Sequence, residues 1–187
     1  MIETHGDIRA YFHQQVRASL KRFSLNITSD TELYLVDLLA ERQRLATPDE
    51  PLVQQWAKAL EEKDPREKLR RFQNAGDAAL YTCGFFAEHV QQRGMSPDYF
   101  VSMGGRCYRG ASELSLHRRH TFEELAGGFR QMVDVLEEVR ETTVLRTPQD
   151  IVKLYDTWRR TKSPKVAARL HSAGVFPTVP KPDDDVH

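Results

Sequence analysis

Cysteine is scarce in this chain: Cys83 and Cys107 are the only two in 187 residues. That excludes a disulfide framework and fits a reducing compartment. An excess of charge of either sign is also missing. Lys plus Arg and Asp plus Glu both total 27, so no bulk field draws in nucleic acid or an anionic membrane. No apolar run approaches the ~20 residues of a helical membrane span. The opening stretch Met1–Gln15 has neither a basic n-region nor an apolar h-region, so no secretory leader is expected. Strict apolar–polar alternation and Asn-Gly or Asp-Gly turns are absent, and only Val139–Thr147 reads as β-like. Walker, GxSxG, Rossmann-glycine and HExxH patterns are absent as well. What remains is the expectation of a cytoplasmic binding or regulatory chain rather than an enzyme.

What is present is helix punctuation. Hydrophobic residues make up 40% of the chain, enough for the core of one domain. Thr4 with Asp7, Ser29 with Glu32, and Thr121 with Glu124 each read as a capping box. Thr47-Pro48, Asp64-Pro65, Ser96-Pro97, Thr147-Pro148 and Ser163-Pro164 each set an N-cap before a proline at the first helical position. Between these signals, apolar residues recur three and four apart, as in Ile8, Tyr11/Phe12, Val16, Leu20 and Phe23. The pattern predicts an all-α, single-domain bundle of seven to eight mostly antiparallel helices over residues 1–175. Residues 176–187, rich in Pro and Asp, read as a loosely held tail.

The centre of that bundle is predicted to be a helical hairpin, Arg66–Gly94 followed by Ser96–Arg119, about a turn at Arg93–Pro97. In its first helix Leu69, Gly76, Cys83 and Val90 recur every seven residues, and a second apolar face carries Ala78, Tyr81 and Phe85. A helix that is apolar on two faces belongs at the centre. Folded about that turn, Cys83 and Cys107 come to the same height, as two buried thiols or a redox-responsive pair.

Each glycine inside a helix costs about 1 kcal/mol relative to alanine, and the hairpin carries Gly76, Gly84, Gly104, Gly105 and Gly110. Close backbone packing explains them, or a flat, heme-like ligand lying over the backbone. The wall of such a pocket would be Tyr81, Cys83, Phe85, His89, Met103, Gly104, Arg106, Cys107 and Tyr108. The Gly104-Gly105 pair resembles the distal-helix glycines of heme oxygenases in those two residues alone, which identifies neither a family nor a cofactor.

Charged groups within these helices are expected to pair. Asp77 or Glu88 would reach Arg106 or Arg109, or one of the arginines would meet an anionic ligand. His117 and His120 flank Arg118-Arg119 at a helix end, where they would answer the dipole rather than bind metal. His13 and His89 read as core-edge histidines. The expected function is a non-catalytic regulatory or protein-interaction module that self-associates or binds a partner, with Trp56 and Trp158 as anchors. The alternatives are the small-molecule pocket in the hairpin, and nucleic-acid binding through Trp158–Arg169, which lacks polar residues along its second helix to read bases. Neither a nucleic acid nor a membrane is the expected partner.

Overall fold

The computed structural model describes residues 3–41, 50–86, 96–142, 148–172, 175 and 177. Among these residues the chain is an all-α bundle without strands. The helices are α1 (Glu3–Arg22), α2 (Ser29–Glu41), α3 (Leu52–Glu61), α4 (Pro65–Phe85), α5 (Pro97–Leu114), α6 (Arg119–Gly127), α7 (Phe129–Thr142), α8 (Pro148–Thr161) and α9 (Pro164–Ser172). No helix is long and apolar enough to cross a membrane among the described residues.

The proline-led caps form as the sequence predicts for α4 and α5. The Asp64 carboxylate accepts from Arg66 N at 3.0 Å, and Ser96 Oγ accepts from Asp98 N at 3.2 Å, each with proline at the first helical position. Other boundaries differ. The third helix opens at Leu52, not Thr47-Pro48, because Pro51 disfavours helical geometry at Glu50; residues 47–49 lie outside the described set, as do the Thr147 cap and the Thr4 and Asp7 side chains.

The predicted Ser29–Glu32 box is replaced by a cap at Thr28, whose Oγ1 accepts from Thr31 N at 3.3 Å. Glu32 faces α1 instead, within 2.9 Å of His13 Nε2 and 3.1 Å of Arg17 Nε. The helix expected to reach Arg119 stops at Leu114. Ser115 is extended, and its hydroxyl accepts from Arg118 N at 3.1 Å, a local turn that competes with helical continuation. The stripe read as one helix from Thr121 to Leu136 is two, broken where Gly127-Gly128 weakens it, so the described residues hold one helix more than the sequence marked.

Helix α4 is the hub, packed by α2, α3, α5 and α7. Its glycines set the spacing. Gly76 lies against the Tyr108 ring, Gly84 against Leu136, and across the interface Gly104 meets Ala79 and Gly110 meets the Phe72 ring. Later positions in α4 meet earlier ones in α5, so the two helices are antiparallel. One hydrophobic core runs from Ile8 to Val175 and includes Ile151, Tyr155, Trp158 and Leu170 of the α8–α9 pair.

That register corrects the predicted height of the cysteines. It sets Cys83 beside Phe100 and Cys107 beside Gly76, about 10 Å apart along the axis at 1.5 Å per residue. A disulfide needs Cα atoms within about 7 Å. The described α4 ends at Phe85; residues 87–95, which hold the rest of the helix expected to reach Gly94 and most of the predicted turn, lie outside the described residues. Both thiols are free and buried.

Candidate functional site

The residues named for a hairpin pocket are placed as follows. Tyr81 is 2% exposed and stacks on Phe85 at 5.1 Å between ring centroids. Cys83, Phe85, Met103, Cys107 and Tyr108 are buried. Gly104 is covered: a Cβ built there would fall 2.2 Å from Phe129 Cζ and 2.9 Å from the Ala79 Cβ, so this chain's own ring occupies the space a flat ligand would use. Arg106 is exposed on the outer face of α5, as is Arg109 three residues on. His89 and Glu88 lie outside the described residues, as does most of the Arg93–Pro97 turn. Burial holds the Cys107 thiol up at about 12. For Cys83 burial, then the negative charge of Glu137, raises it to about 11. Neither is a thiolate at neutral pH.

Asp77 does not pair with an arginine of α5. It is 9% exposed, and its Oδ1 accepts from Tyr34 Oη at 2.6 Å and from Tyr108 Oη at 2.9 Å. The cause is position: Asp77 faces the seam where α2 and α5 both meet α4, whereas Arg106 and Arg109 point to solvent. Phe122 of α6 closes the seam, edge-on to Tyr34 at 5.7 Å and stacked on Tyr108 at 6.0 Å. Burial, followed by the charge of Asp77 and its hydrogen bond, raises the Tyr34 phenol well above its ordinary range. Tyr34 therefore remains a donor to the carboxylate throughout the neutral range.

Outward from this cluster, Tyr34 forms the floor of a cleft of about 360 Å³. Asp30, Leu33, Tyr34 and Asp37 line one wall; their three- and four-residue spacing puts them on one face of α2. His117, Arg118 and Thr121, at the N-terminal end of α6, line the other. The Arg118 guanidinium carbon lies 6.0 Å from the centre of the Tyr34 ring. Asp37 Oδ1 is 3.2 Å from Arg9, yet burial, opposed by Arg9 and reinforced by Glu41, still raises its carboxyl above the ordinary range.

The HRRH segment therefore begins a helix rather than ending one, and His117 and His120 meet the positive end of a dipole instead of capping carbonyls. Thr121 and Glu124 form no box. Glu124 crosses to α2 and accepts from Thr28 N at 3.2 Å, Thr28 Oγ1 at 2.7 Å and Thr31 Oγ1 at 2.5 Å. This fastens the two walls of the cleft together.

A second depression, of about 440 Å³, lies where α1 passes into α2, between Arg17, Lys21 and Ser24–Ile27. Among the described residues no group of three or more His, Cys, Asp or Glu side chains is placed to hold a metal ion. The sequence reading singled out Asp77, Tyr108 and the HRRH segment but missed Tyr34, Asp30, Leu33, Asp37 and Thr121. Tyr34, next to Leu35 in a helix whose apolar residues recur three and four apart, was the available signal. Compared with protein-family models, curated proteins and solved structures, the chain matches none.

Proposed function

We propose that this chain is a non-catalytic, cytoplasmic regulatory module that pairs with a second copy of itself through the face around the α2–α6 cleft. The observation that carries the reading is Leu116, which is 93% exposed in the α5–α6 turn while Leu33, 51% exposed, stands on the cleft wall. The turn that displays Leu116 is pinned, with Ser115 N donating to Ala111 O at 3.0 Å and Ser115 Oγ accepting from Arg118 N. A leucine held outward on a fixed turn gains nothing in the monomer, and burying it against a partner is worth about 1.5–3 kcal/mol.

The charges favour a second copy as that partner. Asp30 and Asp37 lie across the cleft from His117 and Arg118, so the face carries both signs and complements itself under a two-fold axis. With a net charge of zero, no long-range repulsion opposes approach of two copies. Trp158 does not serve as an anchor. It is 5% exposed because α8 turns Ile151, Tyr155 and Trp158 inward on one face, and the Lys162 ammonium lies 4.2 Å over its ring. Trp56 packs partly buried against the core.

Sedimentation velocity over a wide protein concentration range tests the reading. A dimer whose dissociation constant rises at least about tenfold in Leu116→Asp, with helicity unchanged, is the expected result. A monomer at every concentration, or a dimer indifferent to both Leu116→Asp and Leu33→Asp, overturns it.

A further inference from the structure

The α8–α9 pair is charged unlike the rest of the chain. Residues 148–172 hold six of the 27 Lys and Arg but two of the 27 Asp and Glu, which leaves the remainder net negative. The net charge of zero conceals this asymmetry. Salt screens fields beyond about 10 Å, so a partner at this surface meets the local charge rather than the sum.

The fold turns that charge outward and leaves it uncompensated. Ile151, Tyr155 and Trp158 of α8 and Leu170 of α9 enter the core and anchor the inner face of the pair. Lys153, Arg159, Arg160, Lys162 and Arg169 are exposed, and none forms an ion pair among the described residues. Asp156 lies three residues after Lys153 and four before Arg160, yet neither cation closes on it. By contrast Arg9, Arg22, Arg70 and Arg119, equally exposed on other helices, each meet a carboxylate.

The cations also have fixed places. Lys153 and Arg160, seven residues apart, share the outer face of α8 at a spacing of about 10 Å along its axis. Two residues join α8 to α9, and the Lys162 ammonium, 4.2 Å over the Trp158 ring, stays beside the turn that carries Arg159 and Arg160. Arg169 extends the positive face onto α9.

What the patch lacks selects the partner. Tyr155 and Trp158 are 3% and 5% exposed, so no ring of theirs is available to stack on single-stranded bases. The exposed large apolar residues, Phe23, Leu33, Val53, Leu60 and Leu116, all lie elsewhere. The pair therefore has neither an apolar wedge for a bilayer nor an apolar centre for a protein interface. A rigid row of phosphates requires none of these. The lack of polar residues along α9 to read bases bears on sequence specificity alone, since phosphate contacts carry no sequence information. The major groove of B-form DNA admits a helix, whereas that of an RNA duplex is too narrow.

We infer that the outer face of α8–α9 binds the phosphate backbone of double-stranded DNA without sequence preference, through Lys153, Arg159, Arg160, Lys162 and Arg169. This goes beyond self-association and uses none of the residues of the α2–α6 face.

Fluorescence anisotropy of short labelled duplexes of unrelated sequence, titrated with the full chain over a series of salt concentrations, tests it. The expected dissociation constant at low salt is about 100 μM or tighter for every duplex, weakening with salt at a logarithmic slope of about −0.9 per phosphate neutralised. Replacing Arg159 and Arg160 together by Ala should weaken binding at least about tenfold and flatten that slope by about two, with helicity unchanged. Replacing both by Lys should restore most of the affinity. Removing the same charge elsewhere, by Lys63→Ala with Arg66→Ala, should change affinity less than about twofold. Absence of binding at low salt, or equal loss from the two alanine pairs, overturns the inference. Equal or tighter binding of single-stranded oligothymidine, an RNA duplex, phosphatidylserine vesicles or polyglutamate also overturns it. Self-association is scored separately through Leu116→Asp by sedimentation, so either proposal can fail without the other.

Discussion

Two adjacent glycines in α5 show how one residue type plays opposite parts. Gly104 has no room for a methyl group, since the Phe129 ring and the Ala79 Cβ already occupy its place. Gly105 has a single neighbour near that position, Ala126 O at 3.4 Å, an ordinary contact. Gly104→Ala should therefore lower stability by about 1–3 kcal/mol, because overpacking outweighs the gain in helix propensity. Gly105→Ala should raise it by up to about 1 kcal/mol through lost freedom in the unfolded chain. Urea unfolding followed by circular dichroism distinguishes the two, and equal effects at both positions would refute the packing account. Sequence alone supplied the pair as a pair. It could not say which member faces the core, because a step of about 100° per residue separates adjacent side chains and only the neighbours decide what each meets.

At the scale of elements, the boundaries that could be read were those whose cap lies within the local segment. Asp64-Pro65 and Ser96-Pro97 place their acceptors two residues before the donor, and both form. The start of α2 was misread because part of its cap comes from Glu124, nearly a hundred residues away. Burial raises the Glu124 carboxyl, and the hydrogen bonds from Thr31 and Thr28 more than reverse this, leaving it below its ordinary value of 4.5. A carboxyl depressed in the folded state stabilises the fold above its unfolded value, and that contribution is lost as pH falls through the folded one. Glu124→Gln should cost about 1–2 kcal/mol at neutral pH, the size of a lost charged cap. Thermal unfolding across the acid range should show the gap between wild type and variant narrowing as pH falls below that value; a constant gap would mean that the charge contributes nothing. A matching error concerns HRRH, which was placed at a helix end because the Ser115 turn that stops α5 depends on a side-chain hydrogen bond.

Across the whole molecule, the register of α4 against α5 decides what the two thiols can do. Separated by about 10 Å along the axis and held up by burial at about 11 and about 12, with Glu137 adding at Cys83, they should form no bond with each other. Mild oxidation should leave two free thiols by mass spectrometry, and a Cys83–Cys107 disulfide in folded protein would disprove the register. Alkylation should proceed only as fast as the core opens. Because both thiols titrate higher folded than unfolded, their contribution to stability is complete below an ordinary thiol's value of 9.0. It is lost as pH rises from there through the folded values.

The sequence by itself determined the all-α class, most of the helices and the inward faces of α4, α8 and of α1 from Ile8 to Leu20, because helical periodicity and local caps depend on neighbours a few residues away. Phe23, read as the end of the α1 stripe, lies past that helix and is exposed. It also marked Asp77 as out of place in an apolar run. Only the tertiary structure decided that Asp77 is held by Tyr34 and Tyr108 rather than by an arginine, that a Phe129 ring fills the space over Gly104, and that a cleft opens between α2 and α6. Each of these depends on how far one helix slides along another, a displacement set by interlocking side chains from distant parts of the chain and invisible to any local pattern.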